Sequence, residues 1–67
     1  MIDIVVVQDE FGVKVYNCGV LVLQEMSYNE IVLTIKEALT IIEDDLYQID
    51  VLKSILKQIE DIKRMVA

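Results

Sequence analysis

From residue 20 to residue 67 the chain contains neither glycine nor proline, and this stretch limits its possible folds more than any other feature. Either residue commonly ends or bends a helix, so a stretch without them can continue as one rod. Three acids fall together in its middle, in the segment TIIEDDLYQID of residues 40 to 50. The sequence therefore allows one long helix, or two helices that separate at residues 43–46.

Length and periodicity favour two helices over one. Apolar stripes at helical spacing cover residues 31–43 and 49–66, but on a straight helix they point roughly 90° apart. One helix over residues 28–66 would be about 58 Å long, whereas a compact chain of this size is roughly 28 Å across. Asp45 can cap a second helix with Gln48 at its third position, although no glycine can end the first. We predict a helical hairpin, with one long helix as the alternative.

The start of the first helix is marked by the segment SYNE. Ser27 at the N-cap and Glu30 three residues later form the pattern of a capping box. Met26 and Ile31 have the spacing of a hydrophobic staple across that cap. These four residues predict a helix that begins directly after Ser27.

The first 25 residues have the composition of strands. They are rich in β-branched residues and are divided by turn-forming segments around Gly12 and Gly19. The pattern predicts an antiparallel meander with strands at Ile2–Gln8, Val13–Tyr16 and Val20–Gln24. Two strands are the alternative, with one long second strand over residues 13–23 and a bulge at Gly19.

These strands are apolar on both faces. Ile2, Ile4 and Val6 share one side of the first strand, and Val5 and Val7 share the other. In a sheet with one wet face the alternation should be cleaner. Of the 67 residues, 55% are hydrophobic, and a chain this short buries only about 60% of its unfolded surface. We therefore expect self-association to cover what the helices leave exposed.

The predicted fold is α+β, with one domain over residues 1–67 that forms a homodimer or a higher oligomer. Residues 1–25 form the sheet region and residues 27–67 the helical region. Isoleucine and leucine stripes beside mixed charge are typical of helical bundles and coiled coils. The second stripe is therefore the predicted self-contact, formed by Ile49, Leu52, Ile55, Leu56, Ile59 and Ile62.

Composition argues against several function classes. The net charge of −6 disfavours direct binding to nucleic acid, and no apolar run is long enough to predict a membrane span. Without histidine, Cys18 has neither the base that a cysteine nucleophile needs nor the partners of a zinc site. We predict no catalysis, metal or cofactor. A lone cysteine and an N-terminus without signal-peptide features predict a cytoplasmic protein, in the host cytoplasm if it is viral.

The acids suggest a partner surface. Carboxylates on a small rigid scaffold can imitate a row of phosphates and occupy a basic groove on another protein. Small phage-encoded inhibitors act in this way, and the chain is similar to them in size, acidity and lack of catalytic residues, although no motif is shared. The predicted acidic patch consists of Asp9, Glu10, Glu43, Asp44 and Asp45.

The primary functional hypothesis is thus a small acidic interaction module, such as an accessory or inhibitor protein of a phage or mobile element. It would act by occupying a partner surface, and its partners would be itself and a basic protein surface. One alternative is an oligomer that sequesters a small ligand or nucleotide between its subunits. Another is a structural bundle or scaffold component, which would form large regular assemblies.

Overall fold

Three strands are followed by two helices in the computed structural model, which describes residues 1–66. The strands pair antiparallel in the order β1-β2-β3, so the predicted meander is confirmed and the two-strand alternative is wrong. Both helices follow the sheet, as an α+β fold requires. In chain order the elements are β1 (Ile4–Asp9), β2 (Gly12–Asn17), β3 (Val20–Glu25), α1 (Tyr28–Ile41) and α2 (Leu46–Val66).

The turn between β2 and β3 is a two-residue hairpin loop. Cys18 and Gly19 both have positive φ, 54° and 82°, between the paired residues Asn17 and Val20. Positive φ at both central positions is the geometry of a type I′ turn, whose twist matches that of the flanking strands. This turn, and not a bulge at Gly19, is what interrupts the strand.

A bulge does occur, but inside β3. Tyr16 is paired with Leu21 and Val15 with Leu23, so Val22 is an extra residue in β3. Bulges bend the strand that contains them and redirect its side chains. Val22 and Leu23 consequently both line one cleft between β3 and the helices, although neighbouring residues of a regular strand point to opposite faces.

The loop between β1 and β2 depends on glycine. Asp9 pairs with Gly12, and the backbone N–H of Phe11 donates to Asp9 Oδ1 at 2.8 Å. Gly12 has φ 133°, and a Cβ atom there would collide with the carbonyl oxygen of Glu25. No larger residue fits without moving the end of β3.

The cap of α1 follows the predicted pattern with one change. The backbone N–H of Glu30 donates to Ser27 Oγ at 3.3 Å, as in a capping box. Glu30 Oε2 accepts from the backbone N–H of Met26 at 3.1 Å, one residue before the cap. Met26 is 75% exposed, so the expected packing of Met26 on Ile31 buries little of its side chain.

The acidic segment separates the two helices. Ile42 leaves α1 in an extended conformation, with φ −78° and ψ 121°, while its N–H still donates to the Ala38 carbonyl at 3.0 Å. Because the chain exits extended, it needs no left-handed glycine cap. Asp45 Oδ1 accepts from the N–H of Gln48 at 3.1 Å and caps α2 as predicted. The helical hairpin is confirmed, and the described chain measures 35 × 23 × 21 Å.

The two helices cover one face of the sheet and form the core with it. Isoleucines of α1 and α2 pack against the central strand, and every core residue is at most 4% exposed. No buried side chain among the described residues is polar or charged. The core consists of Val13, Val15, Ile31, Ile35, Val51, Ile55 and Ile59.

This core changes the expectation for the stripe on α2. Ile55 and Ile59 are 1% and 0% exposed inside the chain itself, so they are not accessible to a second copy of this fold. Sequence periodicity cannot separate a helix face that meets its own sheet from one that meets a partner. Four members of the predicted self-contact keep partly exposed side chains, and for them the contact stays a prediction: Ile49, Leu52, Leu56 and Ile62.

Candidate binding surfaces

The face of the sheet opposite the helices is apolar and open; we call it the open face. Cross-strand partners lie on the same side of a sheet, so the pairs Val5–Tyr16 and Tyr16–Leu21 place these three side chains together. Val7 joins them two residues along β1, and the fractional exposures of Val5, Val7 and Leu21 are 47%, 41% and 47%. Neither α1 nor α2 lies on this side.

Polar groups occupy one end of the open face. Lys14 is paired with Val7 on one side and with Gln24 on the other, so it shares this face. Its ammonium group lies 3.5 Å from Asp9 Oδ2, and both side chains are about one third exposed, at 30% and 37%. Solvent screens an exposed ion pair of this kind, so it fixes Lys14 only weakly.

The carboxyl group of Asp9 is held in its charged form. The hydrogen bond from the Phe11 N–H lowers the pKa of Asp9 from its ordinary 3.8, and the Lys14 ammonium acts in the same direction. Desolvation opposes the shift but does not reverse it. These interactions stabilise the β1–β2 loop. They also mean that the Asp9 carboxylate already has two partners within its own chain, Phe11 and Lys14.

The predicted acidic patch is divided between the two ends of the molecule. Asp9 is the last residue of β1 and Glu10 is the first residue of the β1–β2 loop, so both lie beside the first residue of β2. The loop between α1 and α2 lies at the other end of β2, because Tyr47 accepts a hydrogen bond from Asn17 Nδ2 at 3.1 Å. The two ends of β2, Gly12 and Asn17, are five residue steps apart, which is about 17 Å along the strand. One continuous row of five carboxylates is therefore not formed.

A smaller acidic group remains at the second end. The backbone N–H of Asp3 donates to Asn17 Oδ1 at 3.0 Å, which places Asp3 near the helix–helix loop. The basic last turn of α2 is at the opposite end, since Lys63 Nζ donates to Asn29 Oδ1 in the first turn of α1 at 2.6 Å. We call this group the acidic end; its members are Asp3, Glu43, Asp44 and Asp45.

An apolar cleft of about 180 Å³ opens between the two helices and β3. Its walls come from α1 between Thr34 and Ala38, from the first half of α2 and from the bulged part of β3. Asn17 and the side chains of the first turn of α2 lie at the same end as the α1–α2 loop. The lining residues are Asn17, Val22, Leu23, Thr34, Ile35, Ala38, Tyr47, Gln48, Val51, Leu52 and Ile55.

Three polar side chains that line this cleft are hydrogen bonded to other groups of the same chain. Tyr47 Oη donates to the Met1 carbonyl at 3.0 Å while accepting from Asn17 Nδ2. Thr34 Oγ1 donates to Glu25 Oε2 at 2.7 Å. Because these side chains already have partners, the cleft presents mostly aliphatic surface to whatever enters it.

Neither a metal-binding group nor a membrane-spanning helix is present among the described residues. Across residues 1–66, no three of the side chains that usually bind metals come together. In the same part of the chain, neither helix combines the length and the apolar character needed to cross a membrane.

No protein-family model matches this chain, and neither a curated protein nor a solved structure shows significant similarity to it.

Sequence patterns gave some indication of the open face but none of the cleft. Apolar residues on both sides of the strands indicated that one face would need cover, but not that Val5, Val7, Tyr16 and Leu21 would be left open. No pattern pointed to the cleft, because it depends on the angle between two helices and on the bulge at Val22. The apolar run of β3 is compatible with a bulge, but it fits a regular strand equally well, so it does not predict the bulge.

Proposed function

We propose that the chain is a non-enzymatic protein-interaction module that binds through its open face, and that a second copy of the chain is its first partner. The observation that carries this proposal is the side-by-side placement of Val5, Val7, Tyr16 and Leu21 on a face that neither helix covers. Strand surface of this kind is rarely left in water unless it serves as an interaction site.

A second copy fits this face by symmetry. In a twofold dimer each open face would meet the same surface on its partner, so valines and leucines would pack on valines and leucines. The Lys14 side chain lies toward one end of the face and can keep its ammonium group at the rim. The resulting assembly would be two sheets packed face to face, with helices on both outer sides.

The size of the face sets the expected strength. Three strands of six residues cover roughly 14 by 20 Å, or about 300 Å² on each copy, well below the 800 Å² per partner of a standard interface. We therefore expect a dimer that dissociates on dilution. A larger partner that also contacts the strand edges would compete with it, which is how an accessory or inhibitor protein can occupy a partner surface.

The acidic end gives such a partner a preferred charge. Three carboxylates lie next to each other in the α1–α2 loop, and Asp3 lies near them. A basic protein surface would be attracted to this end, and its binding would weaken as salt screens the charges. Because the five predicted acids lie at two ends of the molecule, this attraction would use the acids of the α1–α2 loop. Asp9 and Glu10 would contact a different region of the partner.

The test is the mass of the chain in solution across a dilution series, by sedimentation or light scattering. We expect the dimer fraction to rise with concentration, and Leu21→Lys to abolish it by placing a charge in the middle of the apolar contact. Leu33→Lys is the matched control, because Leu33 is 58% exposed on α1 and lies away from the open face.

Two results would overturn the proposal. One is a wild-type chain that stays monomeric at millimolar concentration. The other is an equal loss of association in both lysine variants. That result would mean that the copies associate through non-specific apolar contacts and not through the open face. Large regular assemblies that survive dilution would favour the scaffold hypothesis instead, since a face-to-face contact with twofold symmetry closes after two copies.

A further inference from the structure

We propose that the cleft between α1, α2 and β3 binds a small apolar amine, with the apolar part inside the cleft and the ammonium group at the acidic end. The cleft lies on the helix side of the sheet, so the proposal does not depend on what binds the open face. It rests on the volume of the cleft, on the chemistry of its walls and on the charges around its mouth.

Volume sets the size of the ligand. A buried apolar cavity of about 150 Å³ is large enough to bind benzene. At about 180 Å³ this cleft holds one six-membered ring or a branched chain of similar size, with a short extension toward solvent. Nucleotides and peptides are too large for it.

The walls determine that the ligand body is apolar. Seven of the eleven lining residues are aliphatic, from Val22 on β3 to Ile55 on α2. The hydroxyl of Thr34 and the amide of Asn17 are engaged by Glu25 and by Tyr47. A polar ligand body would lose its hydration without gaining equivalent hydrogen bonds, which disfavours its entry.

Charge at the mouth favours a cation. Gln48 lines the cleft, and its backbone N–H donates to Asp45 Oδ1 at 3.1 Å, so this carboxylate lies next to a residue of the cleft wall. Asn17, at the same end, is hydrogen bonded to the backbone of Asp3. The remaining carboxylates of the acidic end, from Glu43 and Asp44, lie in the loop that joins the two helices.

Helix dipoles do not reverse this preference. The carbonyl end of α1 and the amide end of α2 meet at the same loop, and their partial charges have opposite signs. Asp45 also accepts one of the free amide groups of α2. The ammonium group of Met1 is also close, because the carbonyl oxygen of the same residue accepts from Tyr47 Oη. Together with the exposed Lys36 and Lys53, this cation is outnumbered by the four carboxylates of the acidic end. Tyr47 lines the cleft as well, and the face of an aromatic ring attracts cations.

The experiment is a titration of the isotopically labelled full chain, followed by backbone amide chemical shifts. Three ligands share a phenyl ring and differ in charge: 2-phenylethylamine, 2-phenylethanol and phenylacetate. At low ionic strength we expect the amine to bind about tenfold more tightly than the carboxylate, with the alcohol between them. The difference should shrink at high salt, and the shifts should be largest around Ala38, Tyr47 and Val51. Ligands of this size bind weakly, so the titration extends to about 10 mM.

Two variants test the location. Ala38→Leu adds bulk inside the cleft and should prevent binding by all three ligands. Thr40→Leu adds bulk on the exposed surface of the same helix and should leave binding unchanged. The amide spectrum and the melting temperature show whether each variant is folded.

A third variant tests the charge without altering the cleft. Replacing Glu43 by Gln together with Asp44 by Asn should reduce the advantage of the amine over the carboxylate to about threefold, while Asp45 keeps its capping role. Three results would overturn the proposal: equal affinity for amine and carboxylate, amine-induced shifts away from the cleft, or a folded Ala38→Leu chain that binds as the wild type does. The Leu21→Lys monomer should bind the amine normally, which separates this test from that of the open face.

Discussion

The two faces of the sheet are built from similar residues and have opposite surroundings. Val13 and Val15 on the covered face are 0% exposed, whereas Val5 and Leu21 on the open face are each 47% exposed. All four are branched aliphatic residues within the same three strands. Composition therefore made both faces suitable for burial, and the path of the chain after β3 selected the one that the helices cover.

This difference shows what the helices contribute. Each helix supplies fully buried isoleucines, Ile31 and Ile35 from α1 and Ile55 and Ile59 from α2, and these form the core with the central strand. The buried residues of both helices lie on one side of the sheet only. Residues 1–66 contain no further element on the other side of the sheet, so the open face stays exposed within the part of the chain that the structure describes.

The largest expected effect comes from weakening the covered face. Ile59→Ala should cost about 2–5 kcal/mol of unfolding free energy, because it leaves a cavity where a fully buried side chain stood. That is a large part of the stability of a domain this small. Leu33→Ala, at a 58% exposed position, should cost far less. Denaturant unfolding of both variants at one fixed protein concentration measures the difference, and equal losses would contradict the core described above.

A matched pair on one sheet compares the faces directly. Val15→Thr changes shape little but places a hydroxyl in the core, and we expect a cost of about 1–3 kcal/mol. Val5→Thr makes the same change on the open face of β1 and should stay within about 0.5 kcal/mol in the monomer. Thermal unfolding at low concentration, where the dimer has dissociated, is the measurement. A costly Val5→Thr under those conditions would mean that the open face is covered within the monomer.

The smallest effect concerns the charged end of the open face. NMR titration should give Asp9 a pKa below 3.8, and Lys14→Met should raise that pKa without restoring it fully, since the Phe11 N–H remains. Because the folded pKa is the lower one, the stability that Asp9 contributes is present above pH 3.8 and is lost as pH falls through the folded value. A pKa at or above 3.8 in the wild type would contradict the hydrogen bond to Phe11.

Local signals predicted the elements well. The capping residues Ser27 and Asp45 stand directly before α1 and α2, and turn-forming residues separate the three strands. Such signals act between residues two to four positions apart, so they can be identified without a tertiary structure. The break between the helices also followed from length, because one rod could not have packed on so short a sheet.

Candidate sites were harder to predict because they depend on distant contacts. Ile55 and Ile59 have the periodicity of an interface and are instead in the core, while the two halves of the acidic patch are separated by the length of β2. The cleft combines β3 with two helices and was not indicated by any spacing. A one-dimensional pattern gives the face of an element but not the element that it meets.

The sequence by itself determined the order of the strands and helices, their caps and turns, and an excess of apolar surface over what one small domain can bury. The tertiary structure decided which sheet face is covered, which isoleucines form the core, and where the acids and the cleft lie. The physical reason is range: caps and turns depend on hydrogen bonds between near neighbours, whereas faces and clefts depend on packing between residues far apart in the chain.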